Sequence, residues 1–174
     1  EVAGTRIIPL VIKDQELRDA ERICREAYPV IRIEPFRPFK VGMVTTGSEV
    51  YSGRIKDSFG PVVRRKFQEL GSHVFRQIFV SDNVDMTADA VRSLIDDGAE
   101  MVVVTGGMSV DPDDQTPAGI RKAGGQVVTY GTPTFPGAMF MLAFIDNSPV
   151  AGLPGCVMYH KASIFDLIVP RILA

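Results

Sequence analysis

A chain of 174 residues with 45% hydrophobic and 23% charged residues is long enough for one well-buried core and short for two, and its composition excludes disorder and fibrous repeats. A formal net charge of -2, with Arg64, Arg65 and Lys66 as the one dense basic patch and that patch read as a solvated helix face, excludes a generic nucleic-acid partner. No apolar run reaches the roughly 20 residues that span a bilayer, so no membrane partner is expected, and Cys24, Cys156, His73 and His160 are too few for a disulfide framework or a zinc cluster.

In chain order, "TRIIPLVI" predicts a strand. Asp14 is then the N-cap of a helix over "QELRDAERICREA", whose Leu17, Ala20, Ile23, Cys24 and Ala27 keep the spacing of one buried stripe. Tyr28-Pro29 stops that helix. "VIRI" is a short strand, and the two prolines of "EPFRPF" mark a linker. Residues 1–39 are expected to be an accessory segment and residues 40–174 the main domain. The opening has neither an initiator Met nor a signal-peptide layout, as expected of a cut from a longer chain. The cysteine usage predicts a reducing, cytoplasmic compartment.

From Lys40 the pattern becomes strand, loop, helix, repeated. "VGMVTT" is a strand, "GSEVYSGRIKD" a loop, and "SFGPVVRRKFQEL" a helix with Phe59, Val62, Val63, Phe67 and Leu70 on one face, ended by Gly71. "HVFRQIFV" is the next strand, followed by a helix over residues 85–97 that Gly98 ends. The β-branched run "EMVVVT" predicts a strand buried on both faces. Thr116 and Pro117 are the N-cap and first residue of another helix. After a strand "QVVTY" and an irregular "GTPTFPG", the segments "MFMLAFI" and "PVAGL" predict a hairpin at one sheet edge. A single final helix carries Met158, Ala162, Phe165, Val169 and Ile172. Alternating strands and helices predict an α/β fold, a three-layer α/β/α sandwich with a mostly parallel sheet.

In such a sheet ligands bind beyond the carboxyl ends of the strands. Four loops lie there: "TTGSEVYSGRIKD", "SDNVD", "TGGMSVDPDDQTP" and "LPGC". Gly106 and Gly107 let backbone N–H groups approach an anion, and Thr105 and Ser109 add hydroxyls. Thr46, Gly47 and Ser48 after another strand extend this into a two-sided phosphate cradle. The loop is neither a Walker A motif nor a dinucleotide fingerprint. Asp57, Asp82 and Asp85 each precede a helix and read equally as caps. Asp111, Asp113 and Asp114 would repel a bare phosphate, a conflict that a magnesium ion removes. Cys156 and His160 stand at i, i+4, either as a reactive pair on one helix face or as an inert thiol beside an unrelated imidazole.

Taken in order, "VTTGSEVYSGRIKDS", "VSDN", "VVTGGMSVDPDDQTP" and "GLPGC" resemble the molybdopterin-binding domain family of molybdenum cofactor biosynthesis, over roughly residues 40 to 172. The family includes molybdopterin adenylyltransferases and a domain of the molybdenum insertases. The resemblance implies a small-molecule pterin ligand, molybdopterin or molybdenum cofactor, held with its terminal phosphate by Thr46, Gly47, Ser48, Gly53, Asp57, Ser58, Thr105, Gly106, Gly107, Ser109, Pro154 and Gly155. It also implies magnesium on Asp57 and Asp114, ATP as the adenylyl donor, and Asp82 and Asp114 as the catalytic pair. Asp113 stands where adenylyltransferases carry Arg, "GGMSV" is closer to the insertase style, and Cys156 replaces Asn, Ser or Thr. The expected function is therefore insertion or adenylyl transfer in cofactor biosynthesis. A non-catalytic carrier or sensor and a nucleotide pyrophosphatase-like relative are the alternatives. A homo-oligomer and a molybdoenzyme partner are further expectations from the resemblance.

Overall fold

The computed structural model describes residues 9–29 and 31–174, and the chain divides into two compact units, Glu1–Pro35 and Phe36–Ala174. Of the two strands expected in the first unit, residues 5–8 and Val30 lie outside the described residues. Residues 9–12 and 31–33 are irregular. The first unit holds helix α1 (Asp14–Glu26), which buries none of its residues. The residues of its expected stripe, Leu17, Ala20, Ile23, Cys24 and Ala27, are exposed, and Lys13 stands at the N-cap while Asp14 pairs with Arg18 at 2.6 Å. The expected Asp14 cap is thus displaced by an i, i+4 ion pair.

The second unit contains β1 (Lys40–Thr46), α2 (Ser48–Tyr51), α3 (Phe59–Glu69), β2 (His73–Val80), α4 (Val84–Asp96), β3 (Met101–Thr105) and α5 (Thr116–Lys122). It continues with β4 (Gln126–Tyr130), β5 (Met141–Ile145), β6 (Ser148–Leu153), α6 (Cys156–Tyr159) and α7 (Ile164–Leu173). The six strands form one sheet in the order β2-β1-β3-β6-β5-β4. β2, β1, β3 and β6 run parallel, while β5 and β4 pair antiparallel. No helix among the described residues is long and apolar enough to cross a membrane.

Strand alternation explains the three layers. Val41, Met43, Met101, Val103, Ala151 and Leu153 face one side and pack with Val63 and Phe67 of α3 and Phe165 and Val169 of α7. Val44, Val102, Val104 and Val150 face the other side, against Val91 and Leu94 of α4 and Ile120 of α5. β3 is fully buried, as its β-branched run requires. The Phe67 and Phe165 rings meet edge to face at 5.1 Å, a geometry worth about 0.5–1.5 kcal/mol beyond burial. Gly71 and Gly98 take φ of +77° and +84°, the left-handed conformation that ends α3 and α4.

Several expectations are corrected. The β5–β6 hairpin sits inside the sheet, because β6 is apolar toward both layers and pairs with β3, whereas the exposed β4 closes the edge. The final helix is two helices, because Ser163 and Asp166 form a capping box that starts α7 anew. The basic patch is not a solvated face. Lys66 is buried and bonds Asp166 at 2.7 Å and the Lys161 carbonyl at 3.0 Å. Arg64 donates to the Val74 carbonyl and to Gln77. Thr116 is inside α5, with Gln115 at the N-cap.

Candidate functional site

The parallel strands bring the ends of β1, β2, β3 and β6 to one edge of the sheet, and there threonines tie the loops together. The Thr46 hydroxyl lies 3.2 Å from that of Thr116 and 3.3 Å from the Thr105 carbonyl. Thr116 Oγ1 donates to the Gly106 carbonyl at 2.8 Å. Gly106, at φ +85°, approaches so closely that a Cβ would stand 2.3 Å from the Thr46 carbonyl oxygen. At Gly107, φ +53°, a Cβ would stand 2.9 Å from Thr116 Oγ1. Two glycines are therefore needed where the β3 loop crosses the end of β1.

Beyond this knot the two glycine loops repeat one device. The backbone N–H and hydroxyl of Ser48 donate to Asp82 Oδ2 at 2.9 and 3.0 Å. The backbone N–H and hydroxyl of Ser109 donate to Asp114 Oδ2, the latter at 2.8 Å. In each clasp one carboxylate oxygen anchors the loop, and Oδ1 receives no hydrogen bond among the described residues. Asp111 turns the loop instead, accepting from the Asp113 N–H at 3.0 Å while its carbonyl accepts from the Asp114 N–H. Asn83, and neither Asp82 nor Asp85, caps α4 by accepting from the Met86 N–H. No three His, Cys, Asp or Glu side chains among the described residues gather as a metal cage.

Asp57 is spent differently. Its carboxylate accepts from the N–H groups of Phe59 and Gly60 and from Gln77 Nε2 at 2.7 Å. Three donors thus use most of its acceptor capacity, and it braces the first turn of α3 from the position before the N-cap Ser58. Gln77 also donates to Thr45 Oγ1 at 2.9 Å and accepts from Arg64, which joins the start of α3 to the end of β1.

A pocket of about 130 Å³ opens here, lined by Thr45, Thr46, Thr105 and Gly106 on the strand side and by Val50, Ile55, Lys56, Asp57, Ser58, Phe59 and Met158 across from them. It brings together five expected residues: Thr46, Asp57, Ser58, Thr105 and Gly106. Gly47, at φ +143°, connects β1 to α2 and donates to the Val80 carbonyl. Gly53 only turns the chain after α2, and the Pro154 and Gly155 carbonyls start α6 by accepting from Val157 and Met158. Ser48, at the start of α2 after β1, and Gly107, Ser109, Asp82 and Asp114, in the β3–α5 and β2–α4 loops, do not line it. Thr45, Lys56, Gln77, Thr116 and Met158 belong to the site and were not expected in it. Thr45 and Gln77 lie within strands that read as structural, but Lys56 stood beside an expected ligand and was recognisable by its charge.

Cys156 and His160 do not form a pair: α6 ends before His160, which is exposed. Burial pushes the Cys156 thiol pKa up, against a smaller lowering by the backbone N–H groups at the start of α6, so the group is a poor nucleophile. The β4–β5 loop also reaches the carboxyl edge, since β4 runs parallel to β6, and it exposes Phe135. A larger hollow, about 890 Å³, lies at the opposite end of the sheet, between Arg37, Phe39, Glu100, Phe144, Ser148 and Arg171. Its size does not outweigh the convergence of glycine loops and carboxylates at the carboxyl edge.

Comparison with known proteins gives a consistent assignment. The profile of a family described as "Probable molybdopterin binding domain" matches residues 42–174. The "Molybdopterin molybdenumtransferase" of Staphylococcus epidermidis is 25% identical over 135 residues, 74% of this chain and 32% of that protein. This chain thus spans about a third of that relative's length. The "Molybdopterin adenylyltransferase" of Pyrococcus furiosus is 28% identical over 95 residues, 55% of this chain and 56% of that protein. The molybdopterin biosynthesis enzyme MoaB of Thermus thermophilus has the same fold, with a TM-score of 0.64 at 18% identity over 78% of this chain and 94% of that one. With the profile covering the site loops and the sheet that holds them, the chain belongs to the probable molybdopterin binding domain family.

Proposed function

We propose that the carboxyl-edge crevice takes molybdopterin or molybdenum cofactor and that the chain acts in cofactor biosynthesis by insertion or adenylyl transfer. The observation that carries this reading is the matched pair of clasps, Ser48 on Asp82 and Ser109 on Asp114. Each holds a carboxylate rigidly at a glycine loop with one oxygen left over. Magnesium would neutralise phosphate charge beside such carboxylates. Asp82 and Asp114 would take it through Oδ1 atoms that accept no hydrogen bond among the described residues, whereas both oxygens of Asp57 already accept N–H groups. The protein residues fix the loops, hold the ligand and keep both carboxylates aimed. ATP is the adenylyl donor in the transferase form of the reaction.

The test is an adenylylation assay on the full chain with molybdopterin, ATP and magnesium. AMP transfer is expected, and Asp114→Asn, which keeps an acceptor for Ser109 but removes the charge, should lower it about 100-fold. Binding of molybdopterin with no transfer would contradict the transferase form and leave insertion or cofactor carriage. The exposed Asp113, an added negative charge in the same loop, favours carriage as the second reading.

A further inference from the structure

We propose that the hollow at the amino end of the sheet is a second binding site, which takes a small organic anion with its carboxylate or phosphate head on Arg37 and Arg171 and its apolar body on Phe39, Phe144 and Ile172. The inference is independent of the pterin reading, since the seven residues of β1 set the hollow roughly 20 Å from the glycine loops. Its volume of about 890 Å³ matches the roughly 300–1,000 Å³ of pockets that enclose whole drug-sized ligands. The apolar wall is built into the fold. Phe39 is a core residue, Ile172 packs on the same core, and Phe144 is paired with Pro149 across the β5–β6 hairpin.

The charges around the hollow do not neutralise one another. Neither guanidinium pairs with a carboxylate among the described residues. Arg37 is fixed at the end of α7 by its backbone N–H, which donates to the Leu173 carbonyl at 2.7 Å, and its guanidinium lies 5.8 Å from the centre of the Phe39 ring. Arg171 spends an N–H on the Leu167 carbonyl, which leaves most donors of its fork over. Glu100 carries the one carboxylate of the lining, and its Oε2 already accepts from the Lys40 N–H at 2.8 Å. Two cations against one engaged carboxylate favour an anion, and guanidinium forks match the oxygens of a carboxylate or a phosphate. Ser148 adds a hydroxyl to the lining. A bare inorganic ion would leave most of the volume and the aromatic wall unused, so the anion carries a ring or chain.

The experiment is amide NMR of the full chain titrated with 4-phenylbutyrate, with 3-phenylpropyl phosphate and with the neutral 4-phenylbutanol. Saturable shifts are expected at Phe39, Glu100, Phe144 and Ser148 with at least one of the two anions, and the tighter of the two identifies the head group. Arg37→Gln and Arg171→Gln, both at exposed side chains that the fold does not need, should each weaken that anion about tenfold, the size of one charge-assisted hydrogen bond. The alcohol should bind weaker than the anion by about tenfold or more on the same ground. Equal binding of the alcohol, indifference to both substitutions, or shifts confined to the carboxyl-edge loops would overturn the proposal. So would the absence of shifts around the hollow with both anions. No pterin enters the experiment, so its failure leaves the pterin reading standing.

Discussion

At the residue scale, similar aspartates have been put to different uses. Asp57 braces the first turn of α3, Asp111 shapes a turn, and Asp82 and Asp114 anchor loops through one oxygen each. Sequence alone could place all four near strand ends, but capping and ligand binding demand the same residue in the same position. Only the partners of each oxygen separate them. Gly106 is the residue on which the site geometry turns, since it combines positive φ with a backbone neighbour at 2.3 Å from any Cβ. Gly106→Ala should cost at least about 2 kcal/mol, from left-handed strain plus the forced separation of β1 and the β3 loop. Urea denaturation measures this, and a loss under about 0.5 kcal/mol, the range of neutral surface changes, would show that the two loops are not tightly joined.

At the element scale, the strands and helices of residues 40–174 were legible because each carries its period: the two-sided run of β3, the one-faced stripes of α3 and α4, and the glycines that end them. The end of the chain was misread. Apolar positions at helical spacing continue across the gap between α6 and α7, so periodicity alone merges the two helices. The signal for the break was present as Ser163 followed three residues later by Asp166, a capping-box spacing. Asp166 does a second job there, pairing with Lys66, whose side chain is only 7% exposed. Asp166→Ala removes the cap and strands a buried ammonium, so it should cost about 3 kcal/mol by urea denaturation. Asp166→Asn, which keeps a cap acceptor, should cost clearly less. Equal losses for the two variants would assign the whole effect to charge.

At the scale of the whole molecule, the layer architecture followed from the alternation of elements, but the strand order did not. Whether a hairpin lies at an edge or inside depends on which strand is apolar on both faces, and β6 has that character while β4 does not. The same topology puts the site loops at one end of the sheet and a larger hollow at the other, so volume and chemistry point in opposite directions. The proposal that the glycine and aspartate loops hold a phosphorylated pterin is tested most directly by titrating the full chain with molybdopterin, with and without magnesium. Saturable binding that tightens with magnesium, and loses that gain in the double variant Asp82→Asn, Asp114→Asn, is the predicted result. Absence of binding under both conditions would contradict it.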